Sequence, residues 1–433
     1  MSQTNGTLQR TLTPIMLWGL GVGYVISGMY FGWNIGLDKG GTLGLAIATF
    51  FILIMYITFS LSYSELACAI PKAGGAFDYA AKAFGKDIGF VAGMAQWIEF
   101  VFAPPAIAWG IGSYFHLLFP TVDAFTFGLV AYFIFTAINI LGVKISATFE
   151  LIITIIAVVE LTIFAALTLP AFEFKNLTTN PLPHGIEGCF AAIPFAIWFF
   201  LGMEGLANVA EETINPQKNI TKGFAFSMAT LGILAVMTFG SAVGVAGWEA
   251  VSQARIGDSP LPAALALVHG NDGAMYHLLV SIGLFGFVAS FNGLLLAAGR
   301  TTYEFGRTGH FPEILGAVHQ KFRTPHWALL FNMILGIAAL YTGKTDQIIT
   351  IAVFGALSLY IFSCLSLLRL RKTAPDMERP FKVPAYPFFP IVALTIAAVA
   401  LAAMTYYNLL LAGVYFGVLL LSYLFWKWVD SNK

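Results

Sequence analysis

Charged residues are scarce in this chain. Asp, Glu, Lys and Arg make up 10% of its 433 residues, where a soluble domain carries about 25%, while 58% are hydrophobic. Water could not hold so apolar a surface, which excludes a soluble globular enzyme and makes the chain an integral membrane protein. Cysteine is nearly absent too: Cys68, Cys189 and Cys364 are odd in number and lie in or beside apolar segments, so no disulfide framework is implied. No HExxH metal motif occurs, and "GKT" at 343–345 has Ala338 where a phosphate loop needs glycine. ATP-driven transport and a metal-dependent membrane enzyme are therefore disfavoured, and no cofactor, metal or nucleic-acid partner is expected. The histidines at 116, 184, 269, 277, 310, 319 and 326 fall near span ends or in loops, so none is assigned a proton relay.

What the chain does have is a succession of apolar runs near the 20 or so residues that cross about 30 Å of hydrocarbon. Twelve are expected, at 14–37, 43–69, 88–118, 124–142, 147–170, 187–209, 224–247, 276–299, 327–343, 347–368, 386–403 and 407–426. The first run is too long for a cleavable signal and leads straight into the next, so residues 1–433 read as one transmembrane domain surrounded by lipid. Basic residues set the orientation, because Lys and Arg are retained on the cytoplasmic side. With both termini inside, 18 of them face the cytoplasm, Arg10, Lys72, Lys144, Arg300, Arg371 and Lys433 among them; Lys39, Lys175, Arg255 and Lys344, 4 in all, face out. The expected location is the inner (plasma) membrane.

Two spans are weakened. "GLGVGYVISGMYFGWNIG", residues 19–36, places six glycines in the first, each costing about 1 kcal/mol of helix relative to alanine. In the sixth, "AAIPFAIWFFLGMEGLANVAEE", Pro194, Gly202, Glu204 and Gly205 interrupt an apolar run. Lipid cannot satisfy backbone groups that a helix releases, so something else must face these stretches. The second lies five spans after the first, an odd number, so a second block starting at the sixth has inverted topology; paired interrupted helices of this kind point to an inverted-repeat transporter. The expected fold is all-α, with twelve transmembrane helices: a first repeat at 14–170, a second at 187–368, discontinuous helices 1 and 6, and two additional helices at 386–426. The breaks are expected at Ser27–Gly28 and at Trp198–Glu204. Gly19, Gly23 and Gly36 suit close helix packing equally well.

Acids inside spans each cost roughly 2.5 to 3.5 kcal/mol at a helix centre on the insertion scale, so each needs a reason. Glu99 in span 3 precedes Pro104–Pro105, whose missing amides release the carbonyls of Phe100 and Val101. Carboxylate and freed carbonyls would form an electronegative patch for a cationic substrate; the alternative is a neutral acid seating a kinked helix. Glu204 lies at the span 6 break, either as a coupling group or as a helix cap. Glu65 and Glu150 fall near expected cytoplasmic ends and read as structural. Glu160 sits deeper in span 5.

Several stretches resemble the amino acid–polyamine–organocation superfamily of secondary transporters, and the match covers nearly the whole chain. They are "YSELACAIPKAGGAFDYAAKAFG" (63–85), "GMEGLANVAEETINPQKNI" (202–220), "RTTYEFGRTGHFPEIL" after span 8 and "ERPFKVP" before span 11. Amino acid permeases of the superfamily generally carry Gly-Ser-Gly at the first break, where amides receive the substrate carboxylate; here the triplet is Ile26-Ser27-Gly28. "YVISGMYFGWN" and "WIEFVFAPPAIAWGIGSYF" look most like the ethanolamine permease branch, whose substrate lacks a carboxylate. The resemblance implies amine-accepting carbonyls at Tyr24, Trp198 and Leu201, a pocket that includes Ser27, Gly28, Glu99, Phe100 and Glu204, and Trp198 as an aromatic gate. The span 5 lysine of proton-coupled members is replaced by Ala157, which leaves Glu204 and Glu160 as coupling candidates, with uniport and exchange open. The expected function is uptake of ethanolamine or a similar small amino alcohol by alternating access, with protons as the candidate coupling ion. A neutral amino acid permease is the alternative within the fold, and a cation channel or membrane enzyme the rival outside it.

Overall fold

The computed structural model describes residues 10–252, 260–270 and 273–431. The Lys144 side chain, Arg255 and Lys433, counted above for orientation, lie outside what is described. α1 (Pro14–Tyr30) and α2 (Trp33–Ala69) lead into a short α3 (Ala76–Phe84), then α4 (Lys86–Leu118), α5 (Ala124–Leu141) and α6 (Val143–Thr168). Four fragments follow: α7 (Phe174–Thr178), α8 (Gly185–Ala191), α9 (Ile193–Trp198) and α10 (Gly205–Asn208). After α11 (Pro216–Ala246) come α12 (Trp248–Ser252), α13 (Pro260–His269), α14 (Ala274–Arg307), α15 (His326–Leu340), α16 (Thr345–Thr373), α17 (Phe388–Tyr407) and α18 (Leu409–Ser431).

Nine helices among the described residues are long and apolar enough to cross a membrane alone: α2, α4, α5, α6, α11, α14, α16, α17 and α18. The other three expected crossings are the exceptions. α1 has 17 residues and α15 has 15, which at 1.5 Å per residue gives only about 22 to 26 Å. The sixth crossing is the fragmented stretch α8–α10. The first continues beyond α1 into residues 33–40, because α2 is kinked at Gly41 (φ 66°, ψ −172°), a backbone conformation that only glycine accepts readily.

Burial separates a core from a periphery. In α4, α14 and α16, 83%, 76% and 78% of the most apolar stretch is buried, against 28% in α17 and 17% in α18. α4 can sit at the centre because small residues let its neighbours approach: Gly93 lies against Phe77 and Phe305, and Gly110 against Phe287. Large apolar side chains such as Phe50, Ile233, Val236, Leu410 and Phe425 are exposed on the outside, as a lipid-facing surface requires.

Ion pairs gather helix ends on one basic face. Glu65 of α2 binds Arg371 of α16 (2.7 Å) and Arg379 (3.3 Å), Asp87 of α4 meets Lys427 of α18 at 2.7 Å, and Glu212 binds Arg300 of α14. The backbone amides of Thr11 and Leu12 donate to the Glu212 carbonyl, so the chain's start is held to the same face.

Candidate functional site

The two weakened crossings meet at the centre of the molecule. On α1, the Ser290 hydroxyl of α14 enters the helical ladder: it accepts from the Ser27 amide at 2.8 Å and donates to the Gly23 carbonyl at 2.7 Å. A side chain inserted between a carbonyl and the amide four residues on is a recognised cause of helix distortion. The chain unwinds later than expected. Ser27 and Gly28 remain helical, and the break falls at Phe31 (extended, φ −157°) and Gly32 (φ 87°). The reason is local: Gly32 alone can take the positive φ, and the Asn34 side chain accepts its amide at 3.1 Å. Gly28 serves close approach instead, since a Cβ there would run into the Trp198 carbonyl and lie 3.2 Å from the Phe199 Cα.

In the sixth crossing, helix stops after Trp198 and resumes at Gly205, with Gly202 at φ 100° in between. The unwound stretch is Phe199–Glu204, where the sequence placed it. The Tyr24 carbonyl of α1 faces this stretch, 3.3 Å from where a Cβ on Gly202 would stand.

Between the two weakened crossings lies a small cavity of about 10 Å³ lined by Tyr24, Val25, Ser27, Ala103, Ile107, Trp198, Leu201 and Leu294, room for about one water. Four residues named from the sequence, Tyr24, Ser27, Trp198 and Leu201, are brought together here. Glu99 and Phe100 are not among its lining residues, although both are fully buried on α4. α4 runs as one helix through Pro104 and Pro105.

Glu99 meets Glu204 instead. The Glu99 carboxyl lies within hydrogen-bond reach of the Glu204 carboxyl, a contact that needs a proton on one of the two, and no other donor reaches either Glu99 oxygen. Glu204 accepts from the Tyr360 hydroxyl of α16 at 3.0 Å and from the Gly202 amide at 3.3 Å, and Tyr360 bonds Tyr56 of α2 at 2.7 Å. This places an acid pair and two phenols directly behind the sixth-crossing break. Tyr56, Tyr360 and Ser290 escaped sequence reading because single hydroxyls in an aromatic-rich chain carry no pattern.

Packed groups lie on both sides of the cavity. Towards the face opposite the ion pairs, the Phe31 ring stands edge-on to Trp198 (centroids 5.5 Å) and packs on Phe287 (5.1 Å), which also touches Tyr30 and Tyr114. Glu160 joins this lid as the partner of the Tyr30 hydroxyl, which also donates to the Ala157 carbonyl at 3.2 Å. Towards the basic face, Arg300 and Glu212 form a fully buried bidentate pair at 2.8 and 2.9 Å. An arginine inside "LLLAAGRTTYEFG" was a legible signal for this second layer.

Two discontinuous helices that border a mid-molecule cavity, flanked by aromatic rings on one side and a buried ion pair on the other, define a multi-pass membrane transporter. Comparison with known proteins agrees. Residues 12–419 match the amino acid permease family. An uncharacterized transporter of Rhizobium meliloti is 30% identical over 414 residues, 92% of this chain and 87% of its own. The branched-chain amino acid permease of Bacillus subtilis is 27% identical, covering 90% and 86%, and the low-affinity putrescine importer of Escherichia coli is 27% identical, covering 83% and 81%. The chain belongs to the amino acid permease family of the amino acid–polyamine–organocation superfamily, and is a transporter rather than an enzyme.

Proposed function

We propose that the protein takes up ethanolamine or a similar small amino alcohol by alternating access across the cell (inner) membrane, with both termini in the cytoplasm as the charge asymmetry indicates. Residues 14–170 and 187–368 act as the inverted repeats, and 386–426 as two accessory helices. The observation that carries the substrate reading is at Ser27: its amide is already taken by Ser290, so the backbone nest that would receive a carboxylate is not free. The cavity lining is mostly apolar and carries no basic side chain; its polar groups are the Ser27 hydroxyl, Tyr24, Trp198 and the backbone. In this reading the cavity, which here has room for about one water, widens on opening; the carbonyls of Tyr24, Trp198 and Leu201 then accept from an ammonium group, the Ser27 hydroxyl meets the substrate hydroxyl, and the Trp198 face adds about 0.5 to 2 kcal/mol. Gly28 lets Trp198 come close enough to act as the gate. Glu99, Phe100 and Glu204 stand behind this wall and supply negative potential, Glu204 and Glu160 also remaining candidates for the coupling proton.

The alternative is a neutral amino acid permease or exchanger of the same fold, favoured by the relatives named for branched-chain amino acids and, in Bacillus subtilis, for serine and threonine. Purified protein in liposomes separates the two. Accumulation of labelled ethanolamine with little competition from serine or alanine supports the amino alcohol; strong competition by those zwitterions supports the alternative. Flux that rises linearly with concentration and lacks counterflow would instead mark a channel.

A further inference from the structure

Sequence position made Glu150 of α6 a structural acid near a span end, but the structure places it fully buried in a polar network that includes neither Glu99 nor Glu204. The Asn292 side chain of α14 donates to one Glu150 oxygen at 2.8 Å and to the Ser146 hydroxyl at 3.1 Å. Asn139 of α5 donates to Asn292 at 3.0 Å, and Ser146 donates to Asn139 at 3.0 Å. One turn on, Thr154 donates to the Gly19 carbonyl at 3.1 Å. All of these side chains are buried.

Two buried atoms here have no partner, Oε1 of Glu150 and the hydroxyl of Tyr24, and the Glu150 carboxyl and the Tyr24 ring both lie against Gly293. A Cβ on Gly293 would sit 3.1 Å from that oxygen and press on the Tyr24 ring; a Cβ on Gly23 would collide with the same oxygen. Gly23 is also the residue whose carbonyl takes the Ser290 hydroxyl. The unsatisfied carboxyl oxygen is therefore aimed at the part of α1 that lines the cavity.

No ion pair among the described residues includes Glu150. The ionisable group facing it from α1 is the Tyr24 phenol; α5 and α14 present the neutral Asn139 and Asn292. Glu212 and Arg300 lie further towards the basic face and act on Tyr24. Of the other ionisable side chains on helices packed on α6, Lys218 and Lys222 of α11, His269 of α13 and His277 of α14 are exposed, while Tyr30 of α1, Tyr132 of α5 and Tyr276, Tyr303 and Glu304 of α14 are buried.

We infer that Glu150 is the site where the coupling proton binds, and that its protonation holds α1 in this packed arrangement. A proton on Oε1 gives that oxygen a hydrogen to donate beside Gly293, where the Tyr24 ring also lies. Without it, the carboxylate keeps one side-chain donor, Asn292, and a buried carboxylate with so few partners draws in water or moves away. The proton is taken from and returned to water, so the cycle is balanced. This rests on the transport function proposed above, but not on the identity of its substrate.

The test uses full-length protein in liposomes with labelled ethanolamine, comparing accumulation driven by an inward pH gradient with gradient-free counterflow. Glu150→Gln is expected to lose pH-driven accumulation while keeping counterflow, Glu150→Asp to restore it, and Glu249→Gln, at an exposed position on α12, to retain it. Accumulation that Glu150→Gln still carries out under a pH gradient, or wild-type accumulation driven only by a sodium gradient, overturns the inference. Absence of ethanolamine counterflow in the wild type fails the substrate reading alone, and the comparison is then made with alanine or serine. Should Glu150→Gln not fold, wild-type protein treated with dicyclohexylcarbodiimide serves instead: modification located at Glu150 by peptide mass spectrometry with loss of accumulation is expected, and accumulation surviving full modification overturns the inference.

Discussion

At the scale of the residue, the central chemistry is done by groups that replace or withhold a single hydrogen bond. Ser290 is the sharpest case, because its hydroxyl is at once acceptor for the Ser27 amide and donor to the Gly23 carbonyl. In Ser290→Ala the Ser27 amide loses its acceptor and is released towards the cavity, so the proposed amine site gains a donor. We expect affinity for ethanolamine to fall by about tenfold, equivalent to about 1.4 kcal/mol, with competition by serine increased; calorimetric binding checks both. Glu99 acts at longer range, since it touches Glu204 and not the cavity. Glu99→Gln is expected to weaken ethanolamine binding by more than about tenfold, because the amide replaces one member of the acid pair behind the cavity, and its proton-sharing contact with Glu204, without changing the shape of α4. Unchanged affinity would confine Glu99 to a packing role.

At the scale of the element, function depends on where two helices stop. Gly202 (φ 100°) and Gly32 (φ 87°) hold the breaks open in backbone conformations that cost an L-residue roughly 1–2 kcal/mol. A Cβ on Gly32 would also stand 2.7 Å from the Trp198 ring. Gly202→Ala and Gly32→Ala are each expected to lower the melting temperature of the purified protein and abolish uptake, whereas Gly240→Ala, in open space on α11, changes neither. The sixth-crossing break was legible in the sequence because Pro194, Gly202, Glu204 and Gly205 all oppose helix within one apolar run. The first was misplaced by about a turn: glycine marks both flexible joints and close approaches, and only tertiary contact reveals that Gly28 faces the Trp198 carbonyl while Gly32 takes the positive φ. Glu150 was misjudged for a related reason. Distance along a span says how near an acid lies to the helix end, not which helices cover that end, and α1, α5 and α14 cover this one.

At the scale of the whole molecule, packed groups lie on both sides of the cavity, and the two layers differ in kind. The far layer is made of apolar rings, Phe31, Trp198 and Phe287, which part without leaving any group uncompensated. The basic layer is made of Arg300 and Glu212, both fully buried, and breaking such a pair by removing one partner is destabilising by about 3–5 kcal/mol, because the remaining charge is left alone in a dry site. Opening towards the basic face hydrates that charge and relieves most of the penalty. A change of about 3 kcal/mol in the balance between closed and open forms is worth more than about a hundredfold in population. Glu212→Gln is therefore expected to favour the state open to the basic face. The native cysteines Cys68, Cys189 and Cys364 are buried, so a single cysteine placed at Val25 in the cavity can report access. Its reaction with a membrane-impermeant thiol reagent added from the basic face should accelerate by at least about tenfold in the Glu212→Gln background, with little change when the reagent is added from the other face. Equal acceleration from both faces would mean that the pair stabilises the fold as a whole and is not a gate.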